Sequence, residues 1–196
     1  MTAARGPDSP RVAVVYPMPF GSNGTYGGGE RYALELARAL ARRVETRLIM
    51  FGNHPGRSRE GSLDVRTYRP LLYVRGERFN PLSFRLAAAL ADVDVVHCVC
   101  WNTLLTDTSV LLARALGKKA FVTDVGGGAS LTLRRWLPID RLVDGFLLIA
   151  EKAREQFPDV DSRAKIIYAG IDVERYAPPA TEGGRRGVLF VGRLLP

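Results

Sequence analysis

Cysteine and histidine are scarce in this 196-residue chain, with two of each. Cys98 and Cys100 stand two apart on an expected strand, where both side chains face one side and a disulfide between them would be strained. They read as reduced and buried. No metal site is expected, because His97 points to the opposite face of that strand and His54 lies far off in sequence. No apolar run reaches the ~18 residues that cross a bilayer, since Asp92 and Asp94 interrupt the best candidate. Residues 1–10 lack the apolar centre of a signal peptide and read as a disordered tail, which points to a cytoplasmic protein. The dinucleotide fingerprint G-x-G-x-x-G is missing too: Tyr32 stands where its last glycine belongs, and Phe51, Gly52 and Asn53 offer no acid to a ribose. A nicotinamide or flavin enzyme is therefore disfavoured.

What is present is a globular composition, 46% hydrophobic and 24% charged, with a net charge of +8 that favours anionic partners. No nucleic-acid recognition motif accompanies that charge, so nucleic acid is not the expected partner. The length suits one domain of ordinary size.

Residues 11–16 (RVAVVY) form a short β-branched run of the kind that makes a central strand buried on both faces. A glycine-rich loop follows, and then a helix whose Ala33, Leu36, Ala37 and Leu40 recur at spacings of three and four. Glu30 and Glu35 lie early in it and Arg38, Arg42 and Arg43 late, as the helix dipole prefers. With Gly21, Gly24, Gly27, Gly28 and Gly29 in the loop, the backbone can approach a ligand closely, backed by the unpaired N–H groups of the helix. That combination makes an anion site. A mere strand-to-helix turn is the plainer reading, but such turns usually take about 2 to 6 residues and this loop is longer.

Further strands are expected over residues 45–51, 64–68, 93–99, 119–124, 145–150 and 164–168. Between them, residues 53–61 read as a polar surface loop with a solvated His54, and 81–91 as a helix capped by Asn80 with Pro81 in its first turn. Asn102 or Thr103 caps a helix that Gly117 ends, and Pro158 stops a helix over 151–157. Strands and helices in this alternation make an α/β fold, a parallel sheet with right-handed crossovers and helices on both faces. A second glycine cluster, Gly126, Gly127 and Gly128, follows Asp124 at the carboxyl end of its strand, the edge where open α/β sheets bind ligands.

Residues 57–85 hold seven arginines against three acids, interleaved with Tyr68, Leu71, Leu72, Tyr73, Val74, Phe79 and Phe84. The mixture suits a membrane surface or an amphipathic anionic acceptor. Solvated arginines around ordinary core aromatics explain it equally well. Residues 177–187 read as a Pro/Gly-rich linker, and 188–191 as a strand that begins a second unit, the mark of a chain cut at Pro196.

Four segments, GGGERYALELARAL (27–40), DVVHC (94–98), IIYAGIDVERYAP (166–178) and VLFVGRLLP (188–196), together resemble the retaining glycosyltransferases of family 4, group 1. That resemblance implies a GT-B enzyme, in which two Rossmann-like domains face each other across a cleft. Residues 11–176 would be the N-terminal, acceptor-side domain, 177–187 the interdomain linker and 188–196 the first strand of the donor-binding domain. The donor would be a nucleoside-diphosphate sugar, used as substrate with no cofactor and no bound metal. The acceptor would be lipid-linked, carbohydrate or a small molecule, with peripheral membrane contact through residues 57–85 on the inner face of the membrane. Gly27, Gly28, Gly29 and Arg193 match the family's donor-phosphate contacts. Asp124 and His97 are the catalytic candidates that the resemblance implies, Asp124 toward the donor sugar and His97 at a strand end near the cleft, although Val125 stands where many members place a histidine. Gly126, Gly127 and Trp101 are candidates for the acceptor side of the cleft; Trp101 and Trp136 also read as core. Asp172 is expected to fix the turn into the linker. A non-catalytic module binding an anionic acceptor or membrane surface, and a GT-B sugar-nucleotide epimerase, are the rival readings.

Overall fold

The computed structural model describes residues 9–21, 27–126, 130–156 and 162–170. Ten strands, β1 to β10, and three α-helices are placed in chain order: β1 Val12–Val15, α1 Gly28–Ala41, β2 Thr46–Phe51, β3 Gly56–Glu60, β4 Leu63–Tyr68, β5 Leu72–Tyr73, β6 Pro81–Leu82, α2 Arg85–Leu90, β7 Val95–Val99, α3 Leu104–Ala115, β8 Lys119–Asp124, β9 Gly145–Leu148 and β10 Ala164–Ile166. Eight strands form one sheet in the order β10-β9-β8-β7-β1-β2-β4-β3. All its pairings are parallel except β3 with β4. β5 and β6 make a separate antiparallel ribbon.

The β-branched runs form central strands because both of their faces are covered. Ala13 and Val15 of β1, Ile49 and Phe51 of β2, and Val96 and Cys98 of β7 enter one core, which α2 and α3 close with Leu86, Leu90, Leu105 and Val110. Val12, Val14, Leu48, Met50 and Val99 enter the other core under α1. On α1 the fully buried positions are Ala33, Ala37 and Ala41, with Leu36 and Leu40 packed beside them. Alanines at this spacing let the helix axis lie close to the sheet.

Several local expectations are corrected. Residues 53–61 are not simply a loop, since Gly56–Glu60 pairs with β4 as a wholly exposed edge strand. Residues 81–91 begin as β6, and the helix is only Arg85–Leu90. Asn80 does not cap it; its Oδ1 accepts from Leu104 N–H at 3.0 Å, at the start of α3. Thr103 is the side-chain cap of α3, accepting from Thr106 N–H at 3.1 Å, and Gly117 ends that helix region at φ 68°. Cys98 and Cys100 lie in opposite cores rather than on one face, because Cys100 turns out of the strand at φ 94°. Residues 151–156 form 3-10 turns. The tail through residue 8, the stop at Pro158, Asp172, the linker 177–187 and the strand 188–191 lie outside the described residues.

One polar group organises the amino edge of the sheet. Arg47, 8% exposed on β2, donates Nη1 to the Ala89 carbonyl at 2.9 Å, one of the last carbonyls of α2. The guanidinium also grips Asp92 with two bonds of 2.6 and 2.8 Å. These hydrogen bonds pull the Asp92 carboxyl down to about 2 against the desolvation that opposes them. Because the folded value is depressed, the stabilisation is complete above the usual carboxylate range and is lost as pH falls through about 2. Arg47→Met should lower stability by about 2 kcal/mol at neutral pH, a carbonyl and a half-exposed carboxylate being left without their donor. Urea unfolding checks this, and the deficit should narrow as the pH is taken below the Asp92 range.

Candidate functional site

The strand order reverses at β1, whose chain leaves to β2 on one side while β7 pairs on the other. At such a switch point the connections diverge and leave a crevice at the carboxyl ends of the strands. Here the crevice is a cleft of about 370 Å³. Tyr16 closes its floor from the end of β1, Cys100 from the end of β7, and Val125 and Gly126 from the end of β8. The first turns of α1 bring Gly28, Gly29, Glu30 and Tyr32, and Phe79 comes over from the β5–β6 ribbon.

Gly27 is the N-cap of α1, with no side chain to accept from the helix. Gly28 and Gly29 form the first helical turn rather than loop, so their N–H groups belong to the unpaired set at a helix start. The Glu30 carboxylate folds back onto Gly27, where a Cβ would lie 2.1 Å from Oε2. That is the N3-to-N-cap approach of a capping box, and a side chain at residue 27 would have to displace the carboxylate. Gly29 is similarly constrained, its would-be Cβ being 2.7 Å from the Tyr16 hydroxyl oxygen. Among the described residues nothing lies within 4 Å of a would-be Cβ at Gly28, which leaves its backbone open to a ligand.

Of the residues singled out in sequence, Gly28, Gly29 and Gly126 line the cleft and Gly27 anchors its rim. Gly127 and Arg193 lie outside the described residues. His97 and Asp124 do not line it, and strand alternation separates them. His97 is in register with Phe121, on the α1 side, and a 2.7 Å hydrogen bond links its Nε2 to Thr123 Oγ1. Thr123 also bonds Tyr32, whose phenol is pushed up by burial, so a chain of three polar groups runs from the strand to the cleft wall. Asp124 is 4% exposed; its Oδ1 accepts from Gly126 N–H at 3.4 Å, and burial raises its carboxyl. That bond helps hold Gly126 at φ 71°. Trp101 is core: it is 3% exposed, meets Phe146 edge-on at 5.0 Å, and carries the Arg134 guanidinium 4.2 Å above its ring. Trp136 is 67% exposed and away from the cleft lining.

Glu30, Tyr16, Tyr32 and Phe79 are cleft residues that the sequence reading left out. The available signal was the spacing of Glu30 three residues after Gly27, read only as a dipole effect. A second cavity of about 290 Å³ opens at the ends of β1, β2 and β4, with Phe20, Phe51 and Thr67 on one side and His54, Tyr73 and Arg78 on the other. His54 is exposed, as expected, and also lines this cavity. Among the described residues no group of three His, Cys, Asp or Glu side chains is placed to hold a metal ion. No described helix is long and apolar enough to cross a membrane.

A family model described as Glycosyltransferase Family 4 matches residues 26–175, from the rim of the glycine loop to beyond β10. The chain belongs to glycosyltransferase family 4. Among solved structures this family 4 domain is similar to the crystal structure of Anabaena Alr3699/HepE in complex with UDP, at 13% identity and a TM-score of 0.54. The match covers 85% of this chain and 46% of that one, so it spans less than half the length of that protein. At this identity the likeness is one of fold, and it agrees with the Rossmann-like α/β architecture of a GT-B enzyme. No curated protein matches.

Burial drives the His97 pKa down to about 4, so the ring is neutral in the folded protein near neutrality. Its folded value lies below the ordinary one of about 6.5, so its contribution is complete above that pH and is lost as pH falls through about 4. His97→Gln should therefore be less acid-sensitive than the parent. From about pH 7 to about pH 5 the stability gap between the two should move by about 2 kcal/mol in the variant's favour. Urea unfolding at the two pH values measures it; a constant gap would show a solvated ring.

Proposed function

We propose that this family 4 domain is the acceptor-side lobe of a hexosyltransferase that moves a sugar from a nucleoside-diphosphate donor to an acceptor hydroxyl with retention. The observation that carries the reading is the start of α1 facing the switch-point cleft with bare glycine backbone at Gly28. Negative charge builds on the departing diphosphate in the transition state, and unpaired N–H groups fixed in advance stabilise charge without reorganising. The UDP bound by the Anabaena structure is the kind of ligand this arrangement suits.

In this reading Gly27, Gly28 and Gly29 face the donor phosphates, joined by Arg193 from the second lobe. His97 and Asp124 act as positioning groups: His97 through Thr123 and Tyr32, Asp124 through the Gly126 backbone. The Glu30 carboxylate folds back toward Gly27 at the helix start, and the displacement in this reading is a same-face one in which the leaving phosphate takes the acceptor's proton. The second cavity, beside the cleft and partly apolar, receives the lipid-linked, carbohydrate or small-molecule acceptor. The donor is a substrate and no cofactor is called for. With one lobe supplying only part of the phosphate site, the 196 residues alone turn over nothing, and the protein works in the cytoplasm.

Proton NMR of the product made by a protein carrying both lobes, supplied with an α-linked donor, should show an α linkage; a β linkage overturns retention. Gly28→Ala separates fold from function. Among the described residues the methyl group meets nothing within 4 Å, and it should raise stability by about 0.5 kcal/mol. It also stands where the diphosphate approaches, so kcat/KM should fall at least about tenfold, by about 1.4 kcal/mol of lost transition-state stabilisation. Unchanged kcat/KM would place the donor elsewhere.

A further inference from the structure

The switch-point cleft suits an anion, yet the one charged side chain among the described residues that line it is an acid, Glu30. Glu30 is only 7% exposed. Among the described residues no group hydrogen-bonds its carboxylate. Burial, with the charges of Asp124 and Glu30 added to it, pushes the Cys100 thiol up to about 12, so the Glu30 charge is felt at the floor of the cleft. A carboxylate kept from water in this way needs a positive partner.

That partner is the start of α1. The first closed bond of the helix runs from Arg31 N–H to the Gly27 carbonyl at 3.2 Å, which leaves the N–H groups of Gly28, Gly29 and Glu30 ahead of the ladder. A helix start of this kind acts as about half a positive charge. Glu30 Oε2 and Oε1 lie 2.1 and 3.0 Å from where a Cβ of Gly27 would stand, so the carboxylate curls back over the first turn instead of reaching across the cleft. The open backbone at Gly28 belongs to the same turn. One helix end therefore serves two anions, a carboxylate of its own and any that enters.

We propose that Glu30 is the resident anion of this site, covering the start of α1 while the cleft is empty and turning aside when a diphosphate enters. The proposal rests on the reading that α1 receives the donor diphosphate, and it names the residue that sets how tightly. Two anions a few ångströms apart repel strongly where water is scarce, so the carboxylate moves off or the ligand binds against it. No hydrogen bond to a described residue has to break for it to move. A fixed acceptor for a ligand hydroxyl is the opposite role, and it fits less well, because the carboxylate is turned back to the helix start. Displacement keeps the hold on a diphosphate loose, and a loosely held leaving group departs sooner after transfer.

The test is calorimetric titration of the chain with inorganic pyrophosphate at neutral pH and low salt. Glu30→Gln keeps the shape of the side chain and removes its charge, and should bind at least about fivefold more tightly than the parent. Glu30→Ala should tighten as well, which separates the lost charge from any new bond made by the amide. Glu35→Gln takes the same charge from the outer side of α1, where Glu35 pairs with Arg38 at 3.1 Å, and should stay within about twofold. Weaker or unchanged binding in Glu30→Gln, tightening confined to the glutamine variant, or equal tightening in Glu35→Gln would each overturn the proposal. Absence of binding throughout overturns it too, and the Gly28→Ala kinetics then decide the donor reading separately: a loss of kcat/KM keeps that reading, and an unchanged value removes both.

Discussion

The constraint on which the rest of the structure depends is the position of β1, with parallel partners on both sides and connections that leave in opposite directions. A parallel sheet buries both faces, and its crossovers must run over those faces. The chain from β1 goes over one face as α1, while α2 enters β7 from the other. The two connections diverge from the carboxyl ends of β1 and β7, and the cleft opens between them. Two departures from ordinary backbone lie at that edge, Cys100 at φ 94° after β7 and Gly126 at φ 71° after β8. The cleft is what the fold leaves uncovered, and its chemistry follows from which backbone ends there.

Legibility in the sequence followed how local each signal was. β1, β2, β7 and β8 were readable because a strand buried on both faces must be a β-branched or apolar run, and Lys119–Asp124 coincides with its expected range. β3 was not, because Gly-Arg-Ser-Arg-Glu has no apolar pattern at all; it is a strand because β4 offers it an edge and Arg38 of α1 holds Glu60 at 2.7 Å. Asn80 before Pro81 looked like a helix cap, and the local pattern was sound. Its amide instead serves a helix 24 residues away, which nothing in the neighbouring residues records.

The site divided in the same way. Glycines at the start of α1 and after β8 announced themselves by composition, and four of those described, Gly27, Gly28, Gly29 and Gly126, are at the cleft or its rim. The side chains between them did not. Tyr16 and Phe79 reach the cleft only through tertiary placement, and Trp101, which composition made a candidate, is held in the core by Phe146 and Arg134. His97 and Asp124 sit on neighbouring strands at similar depth, yet period-two alternation turns them to opposite faces, so proximity in the sheet does not make them partners.

The wall beyond β8 shows why polar groups are kept where apolar packing would be more stable. Asn80 donates to Glu77 and Ser130, the Ser130 N–H donates to the Asn102 carbonyl, and Leu133 N–H donates to buried Asp107 at 2.5 Å. Among the described residues, Asp107 Oδ1 and Arg134 Nε have no hydrogen-bond partner, and burial drives the Asp107 carboxyl up to about 6. Such a group costs stability near neutrality: a raised carboxyl contributes fully below its ordinary range and loses that contribution as pH rises through about 6. What the network supplies is direction. Hydrogen bonds specify the register of residues 130–134 against α3 and the ribbon, where an apolar contact would tolerate sliding. The Asp107 slope also runs opposite to that of His97, so between about pH 4 and about pH 6 the two buried groups partly cancel. The network ties residues 130–134 to α3 and to the ribbon at the cost of a carboxyl kept out of water.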